Sequence, residues 1–88
     1  MYRAVIVLSE NRKKERLSRE RTIENADRAE LQKEIQTAIE DLALSGEFSS
    51  PTAEYIIERD GIYIDGEIDL KVKITKKGAT VKLGELLI

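Results

Sequence analysis

The chain has 88 residues, of which 36% are charged, and a formal net charge of −2 at pH 7. It contains neither cysteine nor histidine, which excludes disulfides and the usual zinc, copper and haem sites because these need thiolate or imidazole groups. The length predicts one small soluble domain over residues 1–88. Because a domain of this size buries a small core, oligomerisation is the remaining route to extra stability besides good packing.

The charge is unevenly distributed along the chain. Residues 1–33 hold nine basic and six acidic side chains, residues 34–69 hold one and ten, and residues 70–88 hold five and one. The three segments therefore carry net charges of +3, −9 and +4. Opposite patches on one small surface steer association with a partner or with a second copy.

The first 24 residues predict a β-hairpin. Residues 2–9 are apolar and β-branched, which is typical of a buried strand, and the charged residues 10–15 predict a turn. In residues 16–24 the apolar side chains are Leu17 and Ile23. Their spacing of six does not fit a helical face but places both on one face of a strand.

Residues 28–44 predict a long amphipathic helix. Asp27 followed by Glu30 resembles a capping box at its start, and Gly46 is expected to end it as a C-cap glycine. The apolar positions recur at helical spacing and form one stripe, which consists of Leu31, Ile35, Ala38, Ile39 and Leu42.

Residues 51–59 allow two interpretations. Ser50 at an N-cap and Pro51 at the first helical position would open a short second helix. The run Tyr55-Ile56-Ile57 favours a strand instead, and Asp60-Gly61 is a type I′ hairpin signal. We favour the strand.

Residues 62–83 predict three more strands. Residues 62–64 form the first, and Asp65-Gly66 marks a turn or a bulge. Residues 67–75 alternate as a half-buried strand, with one face made by Ile68, Leu70, Val72 and Ile74. A turn at 76–78 leads to a last strand over 79–83. The predicted fold is α+β, a mainly antiparallel sheet of hairpins with one long helix on one face, in the order β-β-α-β-β-β-β, or β-β-α-α-β-β-β with a second helix near 51–59.

No pattern indicates catalysis. Without cysteine or histidine the usual nucleophile–base pairs are missing, and neither a phosphate-binding glycine loop nor a Gly-x-Ser-x-Gly turn is present. Asp65, Glu67 and Asp69 match the first ligand spacings of a calcium loop, but Leu70 and Lys76 occupy its glycine and glutamate positions. We expect no enzyme activity, catalytic residue, metal, cofactor or small-molecule ligand.

A basic hairpin is the candidate contact for nucleic-acid phosphates. The candidate residues are Arg12, Lys13, Lys14, Arg16, Arg19, Arg21, Lys76 and Lys77. Four carboxylates, Glu10, Glu15, Glu20 and Glu24, are interleaved and weaken the field, and no aromatic side chain stands among the basic residues to stack on bases. Lys71, Lys73 and Lys82 extend the second basic group, where lysines on an exposed strand also prevent aggregation.

The candidate protein interface consists of Tyr55, Tyr63, Leu86, Leu87 and Ile88, since tyrosine is enriched at interfaces and an apolar terminus is usually tied down. The sequence thus predicts a non-catalytic protein-interaction or adaptor domain that self-associates or docks a protein. The alternative is a nucleic-acid-binding domain that uses residues 12–21 and 71–82. The longest apolar run, Ala4 to Leu8, is too short to span a membrane and lacks signal-peptide flanks, so a cytoplasmic location without membrane contact is expected.

Overall fold

The structure, a computed structural model, describes residues 1–84 as one helix and one five-stranded antiparallel sheet. The elements in chain order are β1 (Tyr2–Asn11), β2 (Arg16–Asn25), α1 (Arg28–Ala43), β3 (Thr52–Arg59), β4 (Ile62–Thr75) and β5 (Gly78–Val81). The strands lie in the order β2-β1-β3-β4-β5. The predicted α+β fold is confirmed.

The core lies between the helix and one face of the sheet. Alternate side chains of the apolar strand β1, Ala4, Ile6 and Leu8, are completely buried. They meet the predicted stripe of α1, where Ile35 and Ile39 are also completely buried. Leu42 is partly buried and packs against the core, and Ala43 beside it is buried. The helical and strand periods of the sequence therefore meet on one shared face.

The helix is capped as predicted at one end and differently at the other. The side chain of Asp27 accepts a hydrogen bond from the Glu30 N–H at 3.0 Å. Glu30 does not complete the capping box, because the Asp27 N–H donates to the Asn25 side chain at 2.8 Å. The C-cap is Leu44, and Gly46 follows with a φ of 91°.

Residues 51–59 form a strand and no second helix. Thr52–Arg59 pairs with β1 along its whole length. Asp60 and Gly61 have φ values of 52° and 81°, as a type I′ turn requires. The hairpin signal in Asp60-Gly61 therefore decided the local structure.

The predicted strand count was one too high, because Ile62–Thr75 is a single strand with two bulges. Its register with β3 shifts between Ile57 and Glu58 and again between Ala53 and Tyr55. At the second shift Asp69 adopts a φ of 56°. An extra residue reverses the facing of the side chains that precede it. Ile68 is consequently 69% exposed, and the prediction that it shares a face with Val72 was wrong.

Candidate protein-interaction surfaces

The sheet has one face that no helix of residues 1–84 covers, which we call the open face. Strand alternation places Val5 and Val7 there, because Ala4, Ile6 and Leu8 point to the helix. On β3 the same rule turns Glu54, Ile56 and Glu58 to the open face. The open face therefore presents side chains from at least four strands.

An apolar strip crosses the middle of the open face. Val5 pairs with Ile56, which in turn pairs with Gly66. Ile56 is 44% exposed, and Tyr63 and Ile68, which flank Gly66 along β4, are 63% and 69% exposed. Large apolar side chains at this exposure on neighbouring strands form a patch, unlike the scattered apolar residues of an ordinary surface.

The two ends of the open face have opposite charge. We call the end where β1 begins the lower end. Glu24, Glu58 and Arg3 lie at the lower end, whereas Glu20, Glu54 and Asp69 lie level with Val7, on the other side of the row formed by Val5, Ile56 and Gly66. These five carboxylates and one guanidinium give the lower and middle parts of the open face a net charge of −4. The upper end has three cations, Arg16, Lys71 and Lys73.

The ion pairs of this face lie at its lower end. Arg3 is within 3.1 Å of Glu24 and 3.5 Å of Glu58. Among residues 1–84, Lys71 and Lys73 form no ion pair, and Arg16 bonds only the Ser9 hydroxyl at 3.1 Å. The upper cations are therefore available to an acidic partner.

The structure does not bring the basic hairpin together as one phosphate surface. The register of β2 turns Arg16 to the open face but Arg19 and Arg21 to the helix side. Arg19 forms two bonds to the Glu47 carboxylate, at 2.9 and 2.6 Å, and Glu47 raises the pKa of Arg19. Arg12 donates to Glu10 at 3.1 Å and to the Glu47 carbonyl. Two of the predicted phosphate contacts are thus engaged within the fold.

The lysines of the two hairpin tips lie at the same end of the sheet. β1 rises to its turn at Lys13 and Lys14, β3 descends, and β4 rises again to Lys76 and Lys77. All four are exposed, and within residues 1–84 none forms an ion pair. Three strand spacings separate the two tips, about 15 Å.

Glu10 has a structural role that sequence reasoning missed. Its carboxylate accepts hydrogen bonds from the N–H groups of Ser50 at 2.6 Å and Ser49 at 2.8 Å. These two bonds, with the Arg12 guanidinium, hold the pKa of Glu10 below its ordinary value. Glu10 thus fastens the loop after α1 to the end of β1. Charge alternation in the sequence carries no signal of such a long-range clamp.

The candidate interface residues lie in different parts of the structure. Tyr55 is only 3% exposed and belongs to the core, so it offers no contact surface. Its hydroxyl donates to Glu67 at 2.7 Å and accepts from Gln32 at 3.3 Å, and burial together with Glu67 raises the pKa of Tyr55 to about 12. Tyr63 lies on the open face, and Leu86, Leu87 and Ile88 lie outside the described residues.

No protein-family model, curated protein or solved structure matches the chain. Among the described residues no helix is long and apolar enough to cross a membrane. In the same part of the chain, no cluster of three or more acidic side chains is placed to hold a metal ion.

Proposed function

We propose that this chain is a protein-interaction domain that self-associates through its open face. The observation that carries the proposal is the exposed apolar strip, which has carboxylates on both sides and three cations at the upper end of the face. A strip with Ile56, Tyr63 and Ile68 at 44–69% exposure gains free energy when a second surface removes it from water. The two charged ends limit which surface fits.

A second copy supplies the complementary surface. Consider a two-fold axis that lies between two open faces and runs across the strands. It turns the second sheet over and reverses its strands, so that the apolar strips meet and the upper cations of each copy lie over the lower end of the other, where Glu24 and Glu58 lie. The alternative two-fold axis runs along the strands and leaves their direction unchanged, so that the upper cations of the two copies face each other. The repulsion between these like charges disfavours that arrangement.

The open face is large enough for such a dimer. The molecule measures 38 by 28 by 18 Å, and the sheet provides one of its broad sides. A specific interface buries about 800 Å² on each partner. Two antiparallel sheets also pack face to face with their strands within about 30° of each other, so the geometry proposed here is a common one.

We expect Ile68→Glu to abolish self-association, because it places a carboxylate in the apolar strip beside Glu54 and Asp69. Sedimentation at tens of micromolar should give about twice the 10.0 kDa mass of one chain for the natural protein and a single chain for the variant. Ile68 is 69% exposed, so the variant should fold, which circular dichroism can check.

Ile62→Glu is the matched control. Ile62 is also an isoleucine of β4 and is 70% exposed, but it pairs with Arg59 and points to the helix side of the sheet. It should therefore leave the dimer intact. A natural chain that stays monomeric at hundreds of micromolar would contradict the proposal, as would equal effects of the two substitutions.

A second candidate function, nucleic-acid binding, is favoured by the shared position of the two hairpin tips. Four exposed lysines at one end of the sheet, in two pairs about 15 Å apart, suit phosphates on either side of a duplex groove. Such contacts are independent of base sequence. The contact set would be Lys13, Lys14, Lys76 and Lys77, without Arg12, Arg19 or Arg21.

If four lysines contact phosphates, the affinity for a random duplex should fall with a log–log salt slope of about 3 to 4. Lys77→Gln should reduce that slope by about one, whereas Lys33→Gln on the exposed side of α1 should leave it unchanged. Fluorescence anisotropy with labelled duplex at several salt concentrations measures both. Undetectable binding at low salt would leave the lysines as solubilising charges.

A further inference from the structure

Strand β2, Arg16–Asn25, is at the edge of the sheet, and no strand of residues 1–84 pairs with its outer side. The Arg12 N–H donates to the Glu15 carbonyl at 2.8 Å, which marks these two residues as a hydrogen-bonded pair. In an antiparallel ladder such pairs alternate, so the odd-numbered residues of β2 bond to β1. The N–H and C=O groups of the even-numbered residues point outward, at Arg16, Ser18, Glu20, Thr22 and Glu24.

Most of these outward groups are available for pairing. Within residues 1–84, only the Ser18 carbonyl accepts a hydrogen bond, from the Arg19 guanidinium at 2.8 Å. The remaining groups form a regular row of donors and acceptors that only another extended backbone can match.

An apolar groove runs beside this edge. It has a volume of about 290 Å³ and lies between β2 and α1. Its apolar lining includes Ile23 and Ala38. Arg21 borders it on the strand, and Lys33, Glu34 and Asp41 border it on the helix. Arg21 forms no ion pair with any residue of 1–84. A strand added to β2 could place an apolar side chain next to Ile23. It could also place a carboxylate next to Arg21, where the guanidinium favours a negative charge.

A second copy of β2 fits this edge poorly. The antiparallel register that sets Leu17 against Ile23 of a second copy also sets Glu20 against Glu20 and Arg19 against Arg21. Like charges directly opposite each other destabilise a strand pair. The register that matches the apolar side chains of β2 therefore disfavours self-pairing at this edge, while the open face, on a different side of the molecule, stays free for a second copy.

We propose that β2 binds an extended segment of a different protein by antiparallel strand addition. Charge complementarity defines its chemistry: basic opposite Glu24 and Glu20, apolar opposite Ile23, and acidic opposite Arg21. Read along the partner strand, the pattern is basic, apolar, polar, acidic, basic. The backbone row provides the affinity, and the groove and charges provide the selectivity.

The proposal can be tested with two labelled peptides of identical composition, whose binding to the full chain is measured by fluorescence anisotropy. The matching peptide is Lys-Leu-Thr-Glu-Lys-Thr-Thr-Val-Glu, and the charge-exchanged peptide is Glu-Leu-Thr-Lys-Glu-Thr-Thr-Val-Lys. We expect the matching peptide to bind at least about tenfold more tightly than the charge-exchanged one, because several cross-strand charge pairs become repulsive in the second. Equal binding of the two, or no binding of either, overturns the proposal and leaves the charges of β2 as protection of a bare edge.

Two variants test the mode of binding. Thr22→Pro removes one outward N–H donor without removing a hydrogen bond to β1, and Pro is tolerated at such edge positions. The substitution should lower the affinity for the matching peptide about tenfold. Arg21→Glu, at an exposed position, should lower the affinity for the matching peptide and raise the affinity for the charge-exchanged peptide. Lys77→Glu on the other hairpin should change neither affinity. Circular dichroism of each variant confirms folding. Unchanged affinities in both Thr22→Pro and Arg21→Glu would overturn strand addition at this edge.

Discussion

Replacement of Ile39 by Ala should lower the free energy of unfolding by about 2–4 kcal/mol. Ile39 is completely buried in the stripe of α1 that packs on the sheet. Truncation removes three buried carbon atoms and leaves a cavity that the strands around it cannot fill without losing their own contacts. For a domain of this size such a loss is a large part of the whole stability. Urea denaturation followed by circular dichroism measures it.

Thr37→Ala is the control for the helix itself. Thr37 lies on the same helix but is exposed, and alanine is the better helix former. Its effect should stay within about 0.5 kcal/mol of the natural chain. A loss under about 1 kcal/mol in Ile39→Ala would contradict the packing of this face.

The helix and the first hairpin were predictable because each follows from a single periodicity. The stripe from Leu31 to Ile39 has helical spacing and is buried as expected. Leu17 and Ile23 share one face of β2 and pack at the edge of the core. Local patterns are sufficient where one face of an element is buried and the element has no irregularity.

Strand β4 was predicted less well because its bulges depend on the neighbouring strand. The alternation from Ile68 to Ile74 is regular in the sequence, yet the positive φ of Asp69 interrupts it in the structure. Asp tolerates the left-handed region better than most residues. No turn signal in the sequence distinguishes this Asp from any other. The resulting exposure of Ile68 adds this side chain to the apolar strip, so Ile68 escaped prediction together with the bulge, whereas Tyr63 was a predicted interface residue.

For the basic residues of β2, strand alternation alone could have predicted which side chains share a face. Once β2 is a strand, Arg16 must point away from Arg19 and Arg21, so a single phosphate surface was already excluded by alternation. The engagement of Arg19 by Glu47 was not accessible, because the two residues are 28 positions apart in the chain. Contacts of that range depend on the path of the loop after α1, which no local pattern determines.

Gly66→Ala should destabilise the fold by about 1–3 kcal/mol. Gly66 lies between the two bulges of β4 and pairs with Ile56. A Cβ atom there would lie 2.6 Å from the Tyr55 carbonyl oxygen and 3.3 Å from the Ile56 Cα. Because both neighbours are backbone atoms of β3, they cannot move aside without disturbing the strand pair. The midpoint of thermal unfolding should fall by roughly 4–8 °C for each kcal/mol lost.

The double variant Gly66→Ala/Ile56→Ala separates a backbone clash from a side-chain clash. The Ile56 side chain lies 3.4 Å from the same position and is 44% exposed, so Ile56→Ala alone should cost little. If the β3 backbone is the obstacle, as the distances indicate, truncating Ile56 will not restore the stability lost in Gly66→Ala. Full restoration would contradict this explanation and assign the close approach to the side chain. The need for a glycine at this point follows from the bulges on either side, which bring β4 against β3 closely enough to exclude a methyl group.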